Sequence, residues 1–336
     1  MSLPTRPLGT SGLEITVLGL GAWAMGGEKW AYGWGPQDDD ASIATIHHAL
    51  DRGINWIDTA AVYGLGHAEK VVARALRGRS GERPFVFTKC GQVWDERNRM
   101  GPTVQNLDPA SIRRECEASL ARLEVERIDL YQFHWPDQTG VPVEDSWAAM
   151  VRLIEEGKVR CAGVSNFSVA LLERCEKHRH VDSLQPPFSL VRRSVAAEEI
   201  PWCERHGTGV IGYSPMQSGL LTGRFSAERL KGLPAGDWRH RSDEFRSPRL
   251  ERNLALRDAL APVAARRGVS IEAVAIAWTL AWPGVSGAIV GARRPAQVDG
   301  WIGAAGLSLT AEDLDDIAAA IARTGAGAGP TRPRRS

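Results

Sequence analysis

The chain has no long hydrophobic run. No window approaches the roughly 18 consecutive apolar residues of a membrane span, and the first twenty residues contain no uninterrupted apolar core of a secretory leader. Neither membrane insertion nor export is expected. Cysteine is scarce: Cys90, Cys116, Cys161, Cys175 and Cys203 are odd in number and form no CxxC pair. Reduced thiols in a cytoplasm are therefore expected, rather than a disulfide framework. The eight histidines offer no ligand spacing either, because His47 and His48 are adjacent on a helix and point in different directions, while His178 and His180 lie in a charged run. No metal is expected. Charge of one sign is also missing, with 41 Lys and Arg against 40 Asp and Glu, so no net field favours nucleic acid or an anionic membrane. Any anionic ligand has to be held by a local cluster.

Against these absences, hydrophobic residues make up 43% and charged residues 24%, the balance of a soluble globular chain with a large core. Tryptophan is abundant, with 12 residues against 7 Phe and 4 Tyr. Indole couples a large apolar face to an N–H donor and suits pocket walls as well as cores. The 336 residues allow two domains or one α/β barrel.

Short β-rich runs alternating with helical periodicity decide between them. Strands are predicted at Leu18 to Leu20, Asn55 to Asp58, Phe85 to Lys89, Ile128 to His134, Val159 to Val164, Ser183 to Gln185, Gly209 to Tyr213 and Val285 to Val290. Helices are predicted between them, including Pro109 to Leu123 after Asp108 as N-cap, and helical stretches near 250 to 267 and 271 to 282. Eight βα units imply a closed (β/α)8 TIM barrel. Arg6 to Thr16 reads as a hairpin turning at Ser11-Gly12, a plug for the barrel floor. The expected organisation is one domain over residues 1–324 with long loops at its C-terminal face. A Gly-, Pro- and Arg-rich tail over 325–336 is expected to stay unfolded. Gly207-Thr-Gly209-Val-Ile-Gly212 matches a dinucleotide fingerprint literally, but it precedes a strand instead of following one and is discounted.

Reactive residues of such a barrel stand at strand C-terminal ends. Here those positions hold Asp58, Tyr63 in the following loop, Lys89 and His134. A carboxylate and an ammonium buried together are tolerated when they pair, and a neighbouring ammonium is expected to lower the pKa of the phenol, making Tyr63 a proton donor. His134 is placed to orient a substrate or assist proton delivery. Any one of these is an ordinary strand-end polar residue; four at successive strand ends point to a site.

These residues sit in motifs that resemble the aldo-keto reductase superfamily, and within it bacterial soluble reductases. The motifs are Gly53-Ile-Asn-Trp-Ile-Asp58-Thr-Ala-Ala-Val-Tyr63-Gly64, Asp129-Leu-Tyr-Gln-Phe-His134-Trp135-Pro136, Gly163-Val-Ser165-Asn166-Phe167, Gln185-Pro-Pro and Tyr213-Ser-Pro215. The resemblance implies reduction of an aldehyde or ketone by hydride from a nicotinamide, with Asp58, Tyr63, Lys89 and His134 as the catalytic tetrad and Tyr63 as proton donor. It also implies that Ser165, Asn166 and Gln185 hold the carboxamide beside Asp58, and that Tyr213 stacks on the nicotinamide. Ser214, Pro215, Met216, Gly219 and Leu220 are then expected along the pyrophosphate. Gly291, Arg293 and Gln297 follow the eighth strand, where Arg293 is expected to read a 2′-phosphate, with Arg224 and Arg239 as further phosphate contacts. NADPH is thus expected over NADH, with NADH also usable. Trp23, Trp94 and Trp135 follow the first, third and fourth strands and are expected to line the substrate rim, Trp23 touching cofactor as well. Trp301 stands where many relatives have an Asn near the adenine. The expected partner is a small carbonyl substrate, and the chain is expected to be a monomer or weak homo-oligomer. Two other readings compete: a barrel lyase or isomerase using Lys89 as a Schiff base, and a cofactor-sensing regulatory subunit on the same fold.

Overall fold

A computed structural model describes residues 3–234 and 237–334. Its centre is a closed barrel of eight parallel strands: β1 (Leu18–Gly21), β2 (Trp56–Asp58), β3 (Phe85–Cys90), β4 (Ile128–Phe133), β5 (Val159–Ser165), β6 (Ser183–Gln185), β7 (Gly209–Tyr213) and β8 (Val285–Gly291). Each strand pairs with the next in sequence, and β8 pairs with β1, which is the (β/α)8 order expected from the alternation. Among the described residues no helix is long and apolar enough to cross a membrane.

Local signals account for the element ends. The helix Pro109–Leu123 begins where the Asp108 carboxylate accepts the N–H groups of Ala110 and Ser111, each at 3.0 Å, with proline in the first turn. Thr310 and Asp313 form a reciprocal capping box at the start of Ala311–Thr324. The stretch near 250 to 267 divides at Leu260 into Arg249–Ala259 and Ala261–Arg267, because Pro262 has no N–H to continue the first helix and opens the second. The discounted glycine motif is a helix end. Gly207, with φ +76°, caps Glu199–His206 immediately before β7.

The barrel interior is filled rather than hollow. Leu8, Leu13 and Ile15 of the amino-terminal hairpin (Thr5–Pro7 with Glu14–Thr16) close its floor against Trp56, Phe87, Leu130, Cys161, Ile211 and Ile289. Trp56 occupies the volume that strands β1 and β8 leave free. A Cβ at Gly19 would stand 2.2 Å from the indole, and its Nε1–H donates to the Thr16 carbonyl at 2.8 Å, tying plug to barrel.

One expectation is overturned. Over 325–334 the tail packs back on the barrel: Ala326 is buried, Ala328 pairs with Arg192, and the Arg332 guanidinium contacts Asp315 at 2.7 Å; Arg335 and Ser336 lie outside the described residues. Composition points to disorder because the segment has few apolar side chains, but backbone carbonyls, glycines that admit close approach, the buried Ala326 and the Arg332 ion pair hold it in place.

Behind β3, Glu115 accepts the Gly91 N–H at 2.9 Å and the Ser111 hydroxyl at 3.2 Å. Burial pushes its carboxyl up from 4.5 to about 7 against those two bonds. The folded state therefore holds this proton more tightly than the unfolded chain. Its stabilising contribution is complete below pH 4.5 and is lost as pH rises to about 7. Glu115→Gln is expected to leave the melting temperature near pH 4.5 unchanged and to raise it at about pH 8. Thermal melts at the two pH values check this; equal melting temperatures for parent and variant at the higher pH would count against it.

Candidate active site

A cavity of about 1010 Å³ opens at the C-terminal face of the barrel. At its base stands a buried ion pair. Lys89 Nζ donates to Asp58 Oδ1 at 2.6 Å, to the Thr59 carbonyl at 2.9 Å and to Tyr63 Oη at 3.3 Å, which engages all three ammonium protons. The other carboxylate oxygen of Asp58 accepts Gln185 Nε2–H at 2.9 Å. Burial pushes the Asp58 carboxyl up and the Lys89 ammonium down, and their mutual contact opposes both shifts. Lys89 itself is covered, so Asp58, Tyr63 and His134 are the tetrad members that face the cavity.

Tyr63 is held by the loop after β2. That loop crosses the loop after β1 at two glycines, where a Cβ on Gly64 would lie 2.2 Å from the Gly26 carbonyl oxygen; Gly64 also needs a positive φ of +63°. The expectation that Lys89 lowers the phenol pKa does not hold. Burial and the negative charge of Asp58 drive it well above 10, so Tyr63 stays protonated at neutral pH. The geometric part of the expectation stands, since Lys89 donates to the phenol oxygen. His134 meets the Tyr63 ring edge-on at 5.7 Å, and burial together with Lys89 lowers it well below 6.5, leaving a neutral imidazole.

Beside this group, Asn166 and Gln185 have defined polarity. Both Asn166 Nδ2 protons are engaged, by the His134 carbonyl at 2.9 Å and Ser165 Oγ at 3.0 Å, and its Oδ1 accepts the Tyr213 hydroxyl at 3.0 Å. Gln185 turns its Nε2 to Asp58 and, at 3.3 Å, to Gln132 Oε1. Both amides are thus left with oxygen acceptors to offer. Gln132 escaped the sequence reading, although alternation along β4 places it on the inward face with Leu130, two residues before His134.

Across the mouth, near β7 and β8, Arg224, Arg239, Arg293 and Arg294 line the same cavity, together with Arg229, which sequence reasoning passed over. They differ in how their charge is balanced. Arg239 is paired with Asp237 through bonds of 2.9 and 2.7 Å. Arg293 instead meets neutral acceptors: Gln37 Oε1 at 2.7 Å, the Trp34 carbonyl at 3.3 Å and the Pro36 carbonyl. Its backbone N–H is held by Gln297 at 2.7 Å. Ser214, Pro215, Met216, Gly219 and Gly291 line the cavity, whereas Leu220 is buried in the core and does not. Leu220, like Leu221 after it, packs into the hydrophobic core beneath this run.

Tryptophan lining is only partly as expected. Trp23, Trp135 and Trp301 line the cavity. Trp94 does not; it packs beside Trp30 and Val62, with its Nε1–H on Glu96 at 2.8 Å. Trp238, unanticipated, meets Trp23 at 5.6 Å and Trp34 at 5.5 Å, and the Arg239 guanidinium lies 5.0 Å over Trp34. These rings join the loop after β1 to the long segment after β7.

With this geometry the chain can be compared with known proteins. Residues 17–322 match the model of the Aldo/keto reductase family. The aldo-keto reductase YhdN of Bacillus subtilis is 35% identical over 91% of this chain and 90% of its own length. An NADH-specific methylglyoxal reductase of Escherichia coli is 32% identical over 94% of this chain and 99% of its own. Among solved structures, the glycerol dehydrogenase of Gluconobacter oxydans superposes with TM-score 0.85 at 38% identity, covering 99% of this chain and 98% of that one. The holo form of a Bacillus halodurans aldo-keto reductase superposes with TM-score 0.77 at 26% identity, covering 95% and 96%.

The ion pair yields a stability prediction. Lys89→Met leaves the Asp58 charge buried without its partner and is expected to cost about 3–5 kcal/mol. Adding Asp58→Asn is expected to recover most of that loss. Urea unfolding of the two variants and the parent checks it; a double variant no more stable than Lys89→Met would contradict the coupling.

Proposed function

Because the chain belongs to the aldo/keto reductase family, we propose that it is an NADPH-dependent reductase that converts small aldehydes or ketones to alcohols, with Tyr63 as the proton donor. The observation that carries this reading is the Tyr63 phenol oxygen held 3.3 Å from Lys89 at the cavity base, with Lys89 ion-paired to Asp58 at 2.6 Å. When bound, the nicotinamide supplies hydride to the carbonyl carbon.

The residues present fit such a cofactor. The Asn166 and Gln185 oxygens suit the NH₂ of a carboxamide, and the Tyr213 ring offers a flat wall beside them. The arginines near β7 and β8 are the local cationic cluster that a near-neutral chain requires for phosphates.

The chain's own part is positioning and proton control. Tyr63 gives its proton to the carbonyl oxygen as negative charge develops there. Lys89, already donating to the phenol oxygen, stabilises the phenolate that forms, and Asp58 keeps Lys89 charged while it does so. The neutral His134 imidazole can hydrogen-bond the substrate oxygen and set its approach to Tyr63. Lys89 is unsuited to Schiff-base chemistry in this setting, because its three protons are engaged and no free amine is presented.

NADPH is favoured over NADH on the state of Arg293, whose guanidinium meets only neutral acceptors and has Arg294 beside it. The competing reading, NADH, draws on the relative named NADH-specific. The five cysteines, all free and buried, suit the reducing cytoplasm in which we place the protein.

Tyr63→Phe is expected to lower kcat/KM for carbonyl reduction by about 10³-fold or more while NADPH affinity changes by less than about twofold. Steady-state kinetics with fluorescence titration of the cofactor decide it, and near-parent turnover in the variant would remove Tyr63 from the chemistry. Arg293→Ala is expected to weaken NADPH at least about tenfold and NADH less than about threefold. Equal losses for the two cofactors would assign Arg293 to loop structure alone.

A further inference from the structure

Arg193 is a buried arginine with an unusual set of partners. Its side chain donates to the carbonyls of Leu190, Ala326 (3.1 Å), Pro330 (3.1 Å) and Gly329 (3.4 Å), and among the described residues it makes no ion pair with a carboxylate. A guanidinium buried on carbonyls alone is costly unless the acceptors are held in place. Three of these four acceptors belong to the carboxyl-terminal segment, which contributes a further bond from the Arg193 N–H to the Ala328 carbonyl at 3.0 Å. The segment lies flush on the chain after β6 because two of its residues are glycines in left-handed conformation. A Cβ on Gly327 (φ +63°) would stand 2.3 Å from the Val191 carbonyl oxygen, and one on Gly329 (φ +107°) would stand 2.4 Å from the Arg193 carbonyl carbon.

The clamped stretch reaches the cavity wall in two steps. Ser189 and Arg192 exchange backbone bonds of 3.1 Å in a tight turn, and Ser189 Oγ, fully buried, donates to Gln217 Oε1 at 3.1 Å. Gln217 belongs to a run in which three residues other than glycine are left-handed: Ser214 (φ +57°), Gln217 (φ +45°) and Ser218 (φ +54°). That conformation is disfavoured for residues with a Cβ and persists only where its surroundings impose it. It turns Ser214, Met216 and Ser218 towards the cavity.

We propose that the segment Ala326–Pro330, gripped by Arg193, is a clasp that holds the left-handed loop Ser214–Gly219 in its ligand-binding shape from behind, with Ser189 and Gln217 as positioning residues that carry the constraint. This rests on the reading above that the loop binds the pyrophosphate of a nicotinamide cofactor. The clasp touches neither substrate nor the tetrad. Loosening it raises the cost of ordering the loop around a ligand and leaves the chemical step of the loaded enzyme alone.

The test uses the full chain carrying Ser189→Ala, which removes one hydroxyl, or Gly327→Val, which pushes the segment off Val191. NADPH affinity is read by fluorescence titration, kcat by reduction of a short aldehyde at saturating NADPH, and folding by thermal melts. Each variant is expected to weaken NADPH roughly five- to tenfold, the equivalent of about one hydrogen bond, with kcat at saturation within about twofold of the parent. Should Gly327→Val fail to fold, Ser189→Ala alone decides. Unchanged NADPH affinity in a folded Ser189→Ala, or a loss of kcat with affinity intact, would overturn the clasp while leaving the cofactor reading standing. A parent that binds neither NADPH nor NADH would overturn both.

Discussion

The buried contact between Asp58 and Lys89 is the constraint on which the rest of the site depends. Two opposite charges lie out of water at 2.6 Å, and neither is tolerable there without the other. Their remaining hydrogen-bonding capacity is met from β6 through Gln185 and from the loop after β2 through the Thr59 carbonyl and Tyr63. A closed barrel is what allows this, because it brings three non-adjacent parts of the chain to one point above a solid floor of Trp56 and Phe87. Tyr63 owes its protonated state to the same burial: the surroundings that force Asp58 and Lys89 together also keep the phenol neutral.

From that centre the mouth of the barrel divides in two. Strands β3 and β4 lie opposite β7 and β8 in the ring, and their loops bring to the cavity Gln92, Thr103, Gln105 and Trp135, with no formal charge among them. The arginines gather on the opposite side. Indole rings from the loop after β1 and from the segment after β7 meet above the cavity, and Arg293 binds the first of these loops through neutral acceptors. Charge for an anionic ligand is thereby concentrated at one end and kept away from the reacting end.

Much of this was readable in the sequence, because strong local patterns agree with the fold. Strand alternation, the Asp108 cap and the Ser11-Gly12 turn each report short-range chemistry, and the tetrad stands at strand ends where a barrel puts its functional groups. What escaped depends on distant partners. Gln132 reads as one more polar residue until β6 brings Gln185 beside it. Trp238 and the pairing of Arg239 with Asp237 belong to a long connection without periodicity. Composition misreads the carboxyl-terminal segment because glycines, backbone carbonyls and one ion pair do most of the attaching, with Ala326 its one core side chain among the described residues. The phenol pKa rises rather than falls because burial and the nearby Asp58 charge outweigh the ammonium, and neither is visible in sequence proximity to Lys89.

The central claim is that Tyr63 and His134 both stay neutral around pH 7, because burial, with Asp58 near the phenol and Lys89 near the imidazole, pushes the Tyr63 phenol up and the His134 imidazole down. The most direct test is the pH dependence of kcat/KM for aldehyde reduction at saturating NADPH, with deuteride-labelled cofactor confirming that hydride transfer limits the rate. The account predicts a level profile from about pH 7 to about 9. An inflection within that interval that disappears on replacing Tyr63 or His134 would contradict it.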